Sequence, residues 1–177
     1  MLKNTENSYG TIAKILHWTI SIMMICLICV GFIMSNMEPS PEKYQLYKVH
    51  KATGVIVLLL VIFRIIWKLS NKTVQLPSDI SSLIKFGAKI THYLQYLFML
   101  LMPISGILMS TFSGKEIPVF GLFTIPTFEK NSELAGIFYK IHVTAIWFFI
   151  AVIILHIGAA LYHHFIRKDQ VLMRMIK

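Results

Sequence analysis

Seven histidines carry most of the chemistry this sequence offers: His17, His50, His92, His142, His156, His163 and His164. Two of them, His142 and His156, stand fourteen residues apart in one apolar stretch. On an α-helix, fourteen steps of about 100° leave them within roughly 40° of one face and about 21 Å apart along the axis. Imidazoles so placed are too distant to share one metal ion, but each could serve a separate centre. His17 and His50 open two earlier apolar stretches. A histidine inside a membrane span is costly and usually has a task. Any one of them alone reads equally well as a core residue bonded to a backbone carbonyl.

The elements that must position these side chains follow from composition. Of 177 residues, 56% are apolar and only 14% charged. Mean hydropathy is +0.68, and the apolar residues fall in blocks rather than stripes. That places the chain in a bilayer rather than in water. Four blocks predict transmembrane helices over about 15–34, 52–67, 93–112 and 141–165, within a single domain 1–177. The fold class expected is an all-α, four-helix membrane bundle. The first block is expected to stay as a span, since no small-residue cleavage site follows it. Breaker residues mark the connections as loops or short surface helices. They are Pro39 and Pro41 in the first, Asn71, Pro77 and Ser81-Ser82 in the second, and Gly114, Pro118, Gly121 and Pro126 in the third.

Net charge is +9, yet no soluble basic face is visible that could serve nucleic acid. The N-terminal tail, second connection and C-terminal tail hold eleven Lys/Arg and three acids (Glu6, Asp79, Asp169), against six Lys and five Glu in the other connections. The excess predicts both termini in the cytoplasm. His17 and His156 then share the inner level, and His50 and His142 the outer level. His92 also falls near the inner face, so depth alone does not exclude it from the inner pair. Two histidines facing across a bundle suit a six-coordinate haem iron. Zinc would need four ligands at one point. The haem would be noncovalent, because Cys26-x-x-Cys29 is followed by Val30 rather than histidine. Those cysteines read as small span residues.

Gly31 lies fourteen residues after His17, where it would leave room for the edge of an outer macrocycle; ordinary helix packing is the plainer account. Arg64 lies fourteen residues after His50, at the inner level. It could pair with a propionate or a quinone oxygen, or snorkel to the interface. In the third span, Pro103 is expected to kink the helix, and His92 to touch a propionate or quinone or simply sit at the interface.

These motifs together resemble the bacterial cytochrome b561 family, and its stand-alone superoxide-oxidising members most closely. The features are Ile15-Leu16-His17-Trp18, His50-x-x-x-Gly54, Arg64, Pro103-x-x-Gly106, His142 with His156, and His163-His164-Phe165-x-x-Lys168-Asp169. The resemblance spans essentially the whole chain. It implies two noncovalent, bis-histidine haems b, on His17/His156 and His50/His142, in a bacterial inner-membrane protein. It also implies oxidation of superoxide at the outer haem and ubiquinone as electron acceptor. The quinone pocket is expected on the inner side, around Arg64, His92 and His163, with the outer side left open. Cations near the outer haem should steer a small anion. Lys51 and Lys140, with Lys48 nearby, are the candidates; they read equally as interfacial anchors. An alternative role is an electron-transfer anchor subunit of a hydrogenase- or formate-dehydrogenase-type complex.

Overall fold

The computed structural model describes residues 1–75 and 80–177; Pro77 and Asp79, assigned above to the second connection, lie outside the described residues. Four long helices dominate: α1 (Thr11–Asn36), α2 (Pro41–Leu69), α3 (Ser82–Phe112) and α4 (Ser132–Leu161). Each is long and apolar enough to cross a bilayer, with mean hydropathy over its best window between 1.5 and 2.3. Their outward faces carry Ile22, Ile25, Phe32, Ile62, Trp147 and Leu155, all exposed in the isolated chain. An apolar exterior of this extent belongs against lipid.

Every helix begins before the apolar block that announced it. Hydropathy marks only the hydrocarbon crossing, whereas capping sets the true ends. Ser40 Oγ accepts from Lys43 N at 3.2 Å with Pro41 at the first helical position, so α2 starts eleven residues before Ala52. Ser81 Oγ accepts from Ile84 N, so helix replaces irregular chain from Ser82 onward. Asn131 Oδ1 accepts from Leu134 N at 3.0 Å and opens α4. α3 continues through Pro103 as one helix. α4 passes directly into a π-helical turn, Tyr162–Ile166.

The third connection holds a hairpin that composition did not announce, β1 (Ile117–Val119) paired with β2 (Phe123–Ile125). In the three-residue connection, Phe120 and Gly121 both take left-handed φ and Leu122 N donates to Val119 O at 2.9 Å, closing a tight turn. Ile117 and Val119 are fully buried against Val55 of α2, with Ile107 of α3 packed beside them. Strands of three residues give too short an alternation to read from sequence.

Helices pack in chain order, α1 on α2, α2 on α3, α3 on α4; α4 makes no comparable backbone approach to α1 or α2. The bundle is therefore held open between α4 and the α1–α2 pair, with side chains rather than backbone meeting there. At one end, the three lysine- and arginine-rich segments knit together. Asn4 Nδ2 donates to Lys72 O, Gln75 N to Glu6 O, Arg174 to Gln75 O and Trp18 Nε1 to Met175 O; Lys14 Nζ meets Lys177 O. The hairpin marks the opposite end. The short helix α5 (Met173–Ile176) belongs to the first of these ends.

Candidate functional site

At the hairpin end, α2 presents His50 and α4 presents His142. His142 Nδ1 lies 2.9 Å from the Met102 carbonyl oxygen and 3.0 Å from Ser105 Oγ, both on α3. A methyl group at Gly106 would stand 3.3 Å from His142 Cε1, and one at Gly31 would stand 3.5 Å from His50 Cε1. Both rings thus lie against glycines; an added methyl group would be tight against His142 at Gly106 and in ordinary contact with His50 at Gly31. His50 Nδ1 is buried with no hydrogen-bond partner. Lys51, next in sequence, donates to Ser110 Oγ at 3.1 Å from a half-buried position. Lys48 is exposed nearby in sequence. Lys140 lies elsewhere: it lines an open groove between α3 and α4 with Phe98, Leu101, Thr144 and Phe148. By helical phase it is about 200° from His142, so the two do not share a face.

Three histidines meet at the termini end. The ring centres of His17 on α1 and His156 on α4 are 6.1 Å apart, and His92 on α3 stands 5.8 Å from His156. Arg64 of α2 reaches in among them. One guanidinium nitrogen (NH2) lies 3.0 Å from His17 Nδ1, and its Nε donates to Tyr96 OH at 3.4 Å. Lys68 Nζ lies 4.4 Å from the centre of the Tyr96 ring, a cation–π contact. Tyr9, just before α1, is drawn into the same neighbourhood. Burial pushes its phenol above the ordinary value, Tyr96 adds to that, and Arg64 and Arg174 oppose it.

One apolar cluster runs from one histidine level to the other: Leu16, Ile20, Met24, Val57, Val61, Met102, Ala145 and Phe149. Phe149 stacks on Phe98 with centres 5.8 Å apart. It stands seven residues from each of His142 and His156, hence on their face and midway in height.

Past α4, the π-helical turn places His163 inward. Its Nδ1 lies 2.5 Å from Asp169 Oδ2, and Arg167 Nε is 3.4 Å from the same oxygen. The chain returns through Lys168, which takes a left-handed φ of 54°, and Asp169 Oδ1 accepts from Val171 N. Partial burial raises the Asp169 carboxyl. Hydrogen bonds from His163, Val171 and Arg167 outweigh that and hold it below the ordinary carboxylate value. His163 is not in contact with Arg64 or His92 through any bond among the described residues, so the expected inner cluster divides into two parts. Cys26 and Cys29 are exposed on α1.

Sequence reading missed Tyr96, Ser105, the Met102 carbonyl and Ser110. Each is common in helices, and only the packing of α3 against its neighbours gives it a partner. Asp169 stood within a recognised motif, but its pairing with His163 depends on the reversal at Lys168.

These residues fit a group that brings most of its own ligands. Among the described residues, no three His, Cys, Asp or Glu side chains converge to hold a metal ion. The His17 and His156 rings, with centres 6.1 Å apart, leave room for one metal atom, given metal–nitrogen bonds of about 2 Å. The glycine clearances and the orphan His50 nitrogen suit a large planar cofactor edge beside the rings. One contact needs adjustment. A guanidinium only donates, so His17 Nδ1 accepts from Arg64 and its proton rests on Nε2. Coordination through Nε2 would require Arg64 to turn to another acceptor.

A family model described as Prokaryotic cytochrome b561 matches residues 8–177. The chain is 31% identical over 176 residues to Cytochrome b561 homolog 2 of Escherichia coli (strain K12), covering 98% of this chain and 93% of that one. It is 28% identical over 174 residues to Cytochrome b561 homolog 1 of the same organism, covering 96% and 97%. It is 29% identical over 176 residues to the Probable superoxide oxidase CybB of Yersinia pestis, covering 97% of each chain.

Proposed function

This chain belongs to the prokaryotic cytochrome b561 family of membrane electron-transfer proteins, which bind haem b, and from that premise we propose that it is a superoxide:ubiquinone oxidoreductase. The reaction balances as two superoxide anions, one ubiquinone and two protons giving two dioxygen molecules and one ubiquinol. Two features support this reading. The relative from Yersinia pestis bears the superoxide oxidase name. The observation that carries it is the pair of histidine levels fourteen residues apart along α4, joined by an apolar interior in which Phe98 stacks on Phe149.

His50 and His142 would hold one haem b, and His17 and His156 a second; His92 adjoins the latter pair. Bound between such imidazoles, haem b supplies reversible one-electron chemistry at iron. The protein's own part is positional. A haem held by His50 with His142, or by His17 with His156, would have its iron closed to small oxygen species. The Val57, Val61, Met102 and Phe149 interior excludes water and protons between the levels. Lys51, with Lys48, gives the hairpin end a local positive charge that would draw in superoxide. Lys140 faces another groove and is set aside as a guide. At the termini end, Arg64 and Tyr96 offer hydrogen-bond donors to a carboxylate or a quinone oxygen. His163 with Asp169 offers a proton-carrying pair on the same side, where quinol formation consumes protons. The lysine and arginine excess of the termini end supports a cytoplasmic position for it, in a bacterial inner membrane.

The test is pulsed generation of superoxide with the purified protein, with and without ubiquinone. Rapid haem reduction followed by quinol supports the reading. Reduction no faster than superoxide's spontaneous decay overturns it.

A further inference from the structure

Ser105, in the C-terminal third of α3, is buried to 1% exposure, and its hydroxyl has two neighbours. It donates to the Met102 carbonyl at 2.9 Å and lies 3.0 Å from His142 Nδ1. His142 Nδ1 itself lies 2.9 Å from that same carbonyl. A carbonyl oxygen can only accept. With the Ser105 hydrogen committed to Met102 O, the Ser105 oxygen presents only lone pairs to the ring. Both neighbours of Nδ1 are therefore acceptors, and Nδ1 must be the donor. The geometry fixes the proton on Nδ1 and leaves the lone pair on Nε2. Neither His50 nor His17 has this arrangement: His50 Nδ1 has no partner, and His17 Nδ1 faces a guanidinium.

We propose that Ser105 is a positioning residue for His142. With the Met102 carbonyl it locks the imidazole tautomer and ring direction that coordination through Nε2 requires. The inference rests on the reading of His142 as an axial ligand. An acceptor on Nδ1–H adds electron density to a ligating imidazole and favours the oxidised metal. The two ligands of the hairpin-end haem are thus unequal, one tuned by α3 and the other untuned. Hydroxyls bonded back to a carbonyl three or four residues earlier are frequent in helices and need no such role. Thr111, fully buried and bonded to Ile107 O at 3.0 Å, provides that comparison.

The experiment compares Ser105→Ala with Thr111→Val in the purified, haem-loaded protein, by optical redox titration and by nitrogen-resolved NMR of the histidines. Ser105→Ala should raise the midpoint potential of one haem severalfold in equilibrium terms, where tenfold corresponds to about 59 mV for one electron. The other haem should stay unmoved, and a threonine at 105 should restore part of the shift. The His142 Nδ1–H signal should shift but persist, because the Met102 carbonyl still accepts it. Thr111→Val should change none of these. Unchanged potentials in Ser105→Ala, or equal shifts in both variants, would overturn the inference. His142→Ala separates the two levels of argument. If it removes one haem while Ser105→Ala is silent, only the positioning role fails; if it leaves the haem count intact, the ligand assignment fails and takes the positioning role with it.

Discussion

A single imidazole decides little; its partners decide what it can do. His17, His50, His142 and His156 are proposed as ligands because they sit at two levels, each level combining one ring on α4 with one on α1 or α2. Replacing His50 or His142 by alanine should lower bound haem from two per chain to about one, and so should replacing His17 or His156. A pyridine haemochrome assay reads this directly, and an unchanged count in all four would refute the assignment. His92→Ala should retain both haems, since its ring adjoins His156 without being needed to complete a pair. Charge acts at the same scale. Lys51→Glu should slow superoxide-driven reduction by about tenfold at low salt and by less at high salt, because steering is screened. Lys140→Glu should leave the rate near that of the parent. Stopped-flow kinetics across ionic strengths distinguish the two.

Elements hold these residues through contacts that hydropathy does not report. The hairpin β1–β2 braces α2 against α3 by burying Ile117 and Val119 beside Val55. Ile117→Ala should cost about 2–4 kcal/mol through the lost side chain and the cavity it leaves. Thermal unfolding in detergent would show it as a lowered midpoint; no change would mean that the hairpin braces nothing. At the other end, the tail after the π-helical turn is fastened by Asp169 to His163, Arg167 and Val171 N. The folded carboxyl lies below its ordinary value, so this fastening is complete above the ordinary carboxylate range and is lost as pH falls through the lower, folded value. Protease access to residues 170–177 should therefore rise only in acid. In Asp169→Asn it should already be high at neutral pH and depend little on pH. Equal protection of both forms would exclude the docking role.

Across the whole molecule, polarity is distributed by end and by depth. One end gathers the N-terminal segment, the second connection and the C-terminal tail, with eleven of seventeen Lys/Arg, into a bonded cap. The other carries a hairpin and near-balanced charge. Between them the interior is apolar, and α4 stands off from α1 and α2. An electron-transfer protein benefits from this plan, because charge separated along the bundle axis cannot be short-circuited by water.

Much of this plan is legible in the amino-acid sequence. Four apolar blocks fix four helices, because in a bilayer the backbone of a lone segment can satisfy its hydrogen bonds only within itself. The fourteen-residue interval on α4 fixes two levels, because helical rise and turn are constants of the backbone. Lysine and arginine bias groups the three segments that the fold brings to one end. The tertiary structure alone decided the rest. Which acceptor faces His142 depends on how α3 leans against α4, and sequence distance carries no trace of a Ser105–His142 contact across 37 residues. Arg64 reaching His17, Lys140 lining the groove between α3 and α4, and Asp169 folding back on His163 are likewise products of packing and of one reversed backbone angle. Periodicity reports a residue's height and face on its own helix; only neighbouring helices determine what that face meets.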